Sequence, residues 1–246
     1  MIVVTAVILV PIALPVAQAF FPALGRGGAV EFSLQGFAQM FAPGNLTFTW
    51  LANSLQVTID TVAFSILIAA PAGYVLSRGR NHIVSGYSLV LFVIQSLPVF
   101  ILAVPLFLMF ARAGWYDSLV SLGLIYVGVS LSVAVWMLAA YFDTVPPSLE
   151  EAAWIDGCSV YGGFLRIVLR NSLPGILSTA IFVFLLSWND YLLAFIFLRS
   201  DRLLTLPVSF GLGGAGVILL IVPPILVFAV LNRFFSVGIG GALAGR

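Results

Sequence analysis

Six long apolar stretches, at roughly 2–24, 51–77, 86–111, 117–142, 174–198 and 214–235, alternate with shorter segments that hold most of the charge. A hydrocarbon core about 30 Å thick is crossed by about 20 helical residues rising 1.5 Å each, and every stretch is long enough for that. The pattern therefore predicts an all-α integral membrane chain of six transmembrane helices, one unit over residues 1–246. No internal repeat or low-complexity tract interrupts it. The first stretch starts at Met1, which raises a cleaved signal peptide as a rival. It outlasts the usual hydrophobic region of such a peptide and lacks a basic leader, so it reads as a span. Pro11 and Pro15 inside it require neighbours or water to satisfy the freed carbonyls.

The connections suggest an orientation. With both termini inside, the inner segments hold Arg78, Arg80, Arg166, Arg170, Arg233 and Arg246, against Arg26, Arg112, Arg199 and Arg202 outside. That excess points to the cytoplasmic side for both termini of a multi-pass membrane protein. The largest outer segment is about 25–50, and the largest inner one is 143–173.

Composition strengthens this picture. Hydrophobic residues make up 62% and charged residues 8% of the 246, and a net charge of +1 says little about partners. A mean hydropathy of +1.18 is far outside the soluble range. All ten basic residues are arginine. A chain without lysine cannot supply the P-loop lysine that reaches the β- and γ-phosphates, so it does not hydrolyse ATP by that route. Its single cysteine, Cys158, allows no internal disulfide and no multi-cysteine metal site. The single histidine, His82, falls in an inner loop and reads as a solvated loop residue, which leaves no catalytic constellation and no metal site.

The segment 143–173 is the most informative. Pro146 and Pro147 stop the preceding span, and Ser148 with Glu151 three residues on predicts a capping box opening a short helix. Glu150 and Glu151 sit in its first turn, where negative charge suits the dipole. Gly157 should end it in a positive-φ turn. A second helix is predicted from about Ser159 to Leu169, before Pro174 opens the next span. On local physics alone this hairpin could be an interfacial connector.

The string Glu151, Ala152, Ala153, then Asp156, Gly157, Ile167 and Leu169 closely resembles the EAA loop of binding-protein-dependent ABC importers. From residue 51 onward, Asn53-Ser54-Leu55, Gln95 to Pro98, Ser187 to Asp190, and Leu204 to Pro207 are similar to the maltose and trehalose class of sugar permease. The Gly-Ala-rich tail Gly238 to Arg246 resembles the shorter of its two permease subunits. The resemblance implies a transport subunit that is not itself an enzyme. It implies docking of the EAA helix on a separate ATPase, with Glu150, Glu151, Ala152, Ala153, Asp156 and Gly157 as coupling residues. It further implies a second homologous permease, two ATPase subunits, an extracytoplasmic sugar-binding protein or lipoprotein, a lipid bilayer and no nucleic acid. ATP and Mg would bind the ATPase, and this chain would hold no cofactor.

Polar groups within spans are costly and so are candidates for function. Ser187, Trp188, Asn189 and Asp190 combine an aromatic ring with amide and carboxylate groups, which suits sugar C–H faces and hydroxyls. The alternative is an interfacial aromatic belt with polar bonds between helices. Gln95 and Ser96 precede Pro98, which predicts a kink freeing carbonyls midway along the third span. Asn53, Gln56 and Asp60 form one polar stripe facing the bundle interior or a partner subunit. Asp60 and Asp190 also support a rival reading, an ion-coupled secondary transporter, although no inverted repeat is visible. Against the family pattern, Arg170 stands where the motif closes on proline, which predicts that the second loop helix ends later. The stretch after Pro207 is about ten residues short, and the N-terminus lacks a charged inner leader.

Overall fold

The structure, a computed structural model, describes residues 13–24, 30–209 and 213–243. Helix α1 covers residues 13–20, so half of the first expected span lies outside the described residues. A short α2 (Gln35–Met40) precedes α3 (Thr47–Arg78). Among the described residues, three helices are each long and apolar enough to cross a membrane: α3, α6 (Leu119–Phe142) and residues 214–231 of α12 (Gly213–Leu243). The 32 residues of α3 run about 48 Å, more than the hydrocarbon thickness, so an end of the helix stands clear of it.

The third and fifth expected spans are broken. In place of one helix over 86–111, α4 (His82–Ser96) and α5 (Val99–Arg112) meet at 96°. Leu97 and Pro98 are both extended, with ψ of 123° and 127°. The proline ring excludes helical backbone from the residue before it, and here the expected kink becomes a corner. The fifth stretch divides at Asn189 into α10 (Leu173–Trp188) and α11 (Leu192–Phe197). The second bent pair that could count as a span is residues 160–171 with α10, at 74°, and counting each bent pair as one span brings the candidate spans among the described residues to at most five.

The centre of the fold is the α3–α6 pair. Ala69, Ala134, Val135, Leu138 and Phe142 close its core together with Val183 of α10. Apolar burial gives little drive between helices already in lipid, so close packing and polar contacts must hold them. Both are present. A Cβ on Gly73 would lie 3.0 Å from the Val135 carbonyl oxygen and 3.1 Å from the Ala139 nitrogen, tight enough that a side chain there would push the two backbones apart by a few tenths of an ångström. The buried Ser65 and Ser130 hydroxyls share a hydrogen bond of 2.9 Å.

Loops are tied to helix ends by side chains. The Trp50 indole donates to the Asp201 carbonyl at 2.6 Å, and the Asn53 amide donates to the carbonyls of Arg202 and Leu204, both at 2.9 Å. Ser54 Oγ accepts from the Leu206 amide at 2.7 Å. Asp117, at φ +53°, accepts from the Arg199 and Ser200 amides at 2.7 and 3.0 Å. The α5–α6 turn is thereby fastened to the end of α11.

Candidate functional site

Segment 143–173 folds as two short helical arms. The first, α7 (Pro147–Ile155), begins with Pro147 in its first turn and Pro146 as its N-cap. The expected capping box between Ser148 and Glu151 does not form. The helix starts earlier than that pattern assumes: with Pro146 at the N-cap and Pro147, whose φ is already helical, at N1, Ser148 is the second helical residue and not its cap. The end of α7 matches expectation closely. Gly157 has φ +88°, the Cys158 amide donates to the Ala153 carbonyl at 2.9 Å, and the Gly157 amide donates to Trp154 at 3.0 Å. This pair of bonds is a Schellman motif, which closes off the last carbonyls of the helix.

Ser159 caps the second arm, its Oγ accepting from the Gly162 amide at 3.1 Å. Helical backbone then runs through α8 (Val160–Gly163), a π-helical turn at Phe164–Val168 and α9 (Leu169–Asn171). The arm thus continues past Leu169, as Arg170 in place of a proline permits. It meets α10 at 74°. A Cβ on Gly163 would stand 2.9 Å from Trp154 Nε1, so the indole of the first arm lies directly against the backbone of the second.

The hairpin is fastened to α3. Glu150 is 1% exposed. Its Oε1 accepts from Arg78 Nε at 2.8 Å and pairs with Nη2 at 2.6 Å, while Oε2 accepts from the Tyr74 hydroxyl at 2.6 Å. Arg78 Nη2 also donates to the Val145 carbonyl at 2.9 Å, and Ser77 Oγ donates to Asp143 Oδ1 at 2.6 Å. The Tyr74 ring packs on Phe164 at 4.8 Å between centroids.

Glu150, which the resemblance implies as a coupling residue alongside Glu151, points into the fold. Successive helical residues diverge by about 100°, which lets Glu151 face outward while Glu150 turns in. Glu151, Ala152, Asp156 and Gly157 are exposed and Ala153 is half-buried. Around them stand Ile155, 87% exposed, and Tyr161, 74% exposed. Sequence reasoning missed Tyr74, Ser77 and Arg78 as loop partners. The available signal was a second glutamate next to the motif, which the motif does not require.

The polar residues of the spans do not form one site. Trp188 is 1% exposed, stacks on Phe184 at 5.6 Å and donates from Nε1 to the Leu220 carbonyl at 2.9 Å. Its indole is buried in the contact between α10 and α12. Buried Ser187 bonds back to Val183 at 2.9 Å. Asn189 is exposed and bonds to the Leu185 carbonyl at 2.8 Å. Asp190 accepts from the Tyr126 hydroxyl at 2.8 Å and from the Ala194 amide at 3.0 Å, which joins α6 to the first turn of α11. Exposed Ser96 bonds to the Phe92 carbonyl at 2.8 Å. Gln95 lines a cavity of about 350 Å³ at the α4–α5 corner with Phe110, Gly128 and Leu186.

The expected stripe on α3 divides. Asn53 turns to the 202–204 carbonyls, while Gln56 and Asp60 border a smaller cavity of about 160 Å³ against Gly123 of α6. Exposed His82 opens α4. Among the described residues no group of three or more His, Cys, Asp or Glu is placed to hold a metal ion.

Comparison with known proteins places this geometry. The profile of the family described as binding-protein-dependent transport system inner membrane component matches residues 65–239. A putative ABC transporter permease protein of Streptomyces antibioticus is 35% identical over 84% of this chain and 95% of its own length. The arabinooligosaccharides transport system permease protein of Halalkalibacterium halodurans is 30% identical, over 84% of this chain and 77% of its own. The maltodextrin transport system permease protein of Bacillus subtilis is 29% identical over 95% and 89%. Among solved structures, a bacterial ABC transporter involved in the import of the acidic polysaccharide alginate superposes with a TM-score of 0.73, covering 95% of both chains at 19% identity. At that identity the likeness is one of fold.

Proposed function

We propose, because this chain belongs to the family of binding-protein-dependent transport system inner membrane components, that it is one of two permease subunits of an ATP-driven carbohydrate importer. It forms half of a pathway for a sugar or oligosaccharide and takes its driving force from a separate ATPase through the 143–173 hairpin. The observation that carries this reading is the hairpin itself. Its closed helix end, its indole-to-glycine packing and its buried anchor make it a stiff lever, and Glu151 and Ile155 stand bare on its outer face. A passive connector needs none of these features.

The carbohydrate part rests on relatives named for arabinooligosaccharides and maltodextrin transport, which match most of this chain. On this reading a second permease, two ATPase subunits and an extracytoplasmic binding protein complete the importer, with the hairpin and both termini in the cytoplasm. The bonds of Asp190 to Tyr126 and Ala194 give that carboxylate a structural role that needs no ion coupling.

The test is uptake of labelled maltotriose by vesicles holding the complete complex. ATP-dependent uptake that survives dissipation of ion gradients and an Asp190→Asn substitution is the expected result. Uptake driven by an ion gradient and abolished by Asp190→Asn would replace the proposal with ion-coupled transport.

A further inference from the structure

We infer that Glu150 is a positioning residue that locks the hairpin onto the end of α3, making α3 the main route by which displacement of the hairpin enters the membrane. This rests on the coupling role proposed above and identifies the route the coupling takes. In sequence the hairpin joins α6 to α10, and α3 has no covalent part in it. In space its charged anchor is wholly on α3. Three stations of the segment are held by three residues of the last turns of α3: Asp143 by Ser77, Val145 by Arg78, and Glu150 by Arg78 and Tyr74.

The junctions to the neighbouring spans are weaker levers. Four residues, 143–146, separate α6 from α7, and Pro146 at the N-cap is extended with ψ 129°. An extended residue between helices is where a hinge bends. The clamp spans that hinge, binding residues on both sides of it to one rigid helix. Burial also excludes the simplest alternative, direct contact of Glu150 with a partner, because both of its carboxylate oxygens are engaged inside the fold at 1% exposure. Gly73, one residue before Tyr74, lies in close backbone contact with α6. Motion delivered to Tyr74 and Arg78 therefore moves the α3–α6 pair as one body.

Two measurements on the assembled complex test this. In vesicles, Glu150→Gln and Arg78→Gln should each retain the co-purifying ATPase and its hydrolysis, while sugar moved per ATP falls several-fold. The double variant should do no worse than either single one, since both break the same link. In a Cys158→Ser background, spin labels at Val75 and Ile155 should report one narrow distance, broadened by Glu150→Gln and by Tyr74→Phe to a smaller degree. Unchanged transport per ATP together with an unchanged distance distribution would overturn the inference. Loss of the ATPase from Glu150→Gln would overturn it too, by making Glu150 a contact residue. If the unsubstituted chain binds no ATPase, the proposed function fails, and the spin-label distances still decide whether the clamp exists.

Discussion

Replacing Gly157 by alanine isolates the turn that closes the first arm of the hairpin. A Cβ built there meets nothing within 4 Å, so crowding by neighbours contributes no cost. What remains is the backbone at φ +88°, where an L side chain costs about 1–2 kcal/mol. That shifts the balance between closed and open turn by about 5- to 30-fold. The amide of Cys158, bonded to Ala153 across the turn, should lose protection from hydrogen exchange by the same factor, and ATP-driven uptake should fall with it. Asparagine tolerates this region better than alanine, so Gly157→Asn should recover much of both readouts. An alanine variant with native exchange at Cys158, or an asparagine variant as damaged as alanine, would refute the assignment of a backbone-determined turn.

Three further outcomes follow from particular contacts. Gly73→Ala sets a methyl group 3.0 Å from the Val135 carbonyl oxygen. Backbone cannot swing aside as a side chain does, so stability in detergent should fall by about 1–3 kcal/mol, and an unchanged melting temperature would mean the helices are further apart. Trp188→Phe keeps the stack on Phe184 and removes the donor to the Leu220 carbonyl. Stability should drop by about 1–3 kcal/mol with half-saturation for sugar unchanged; a weakened half-saturation would instead put the indole in the pathway. At Asp117, burial acts to raise the carboxyl, but the Ser200 hydroxyl and the Arg199 and Ser200 amides outweigh it and hold the group below the ordinary value of 3.8. A depressed value means that this stabilisation is full above the unfolded value and is lost as pH falls through the folded one. Asp117→Asn should therefore flatten the acid side of the thermal stability profile, and an unaltered acid limb would show that the carboxylate charge does not matter there.

The legibility of this chain varied with the kind of interaction involved. Hydropathy located α3, α6 and α12 because long apolar runs in a membrane protein leave few alternatives to helix. The same signal could not show that the run from 86 to 111 turns a corner. That depends on whether tertiary packing lets the backbone at Leu97 and Pro98 open from a kink to a full bend. Gly157 was readable because the constraint is local, whereas Ser148 and Glu151 matched a capping pattern that the earlier start of α7, at Pro147, leaves unused. The site residues divided in the same way. The sequence motif marks Glu151 and Gly157, but the inward turn of Glu150 depends on Arg78 and Tyr74, more than 70 residues away. Trp188 beside Asn189 and Asp190 resembled a sugar site in composition. Only the approach of α12 shows that the indole is spent on a carbonyl of that helix.

The central claim is that this permease works with a separate ATPase gripped through the 143–173 hairpin. Its most direct test is to tag the C-terminus, purify the chain gently from its native membrane and identify by mass spectrometry what accompanies it, with Glu151→Arg in parallel. The account predicts a P-loop ATPase and a second permease beside the unsubstituted chain, with the ATPase lost from the variant. Recovery of the chain alone, unaltered by the substitution, would contradict it.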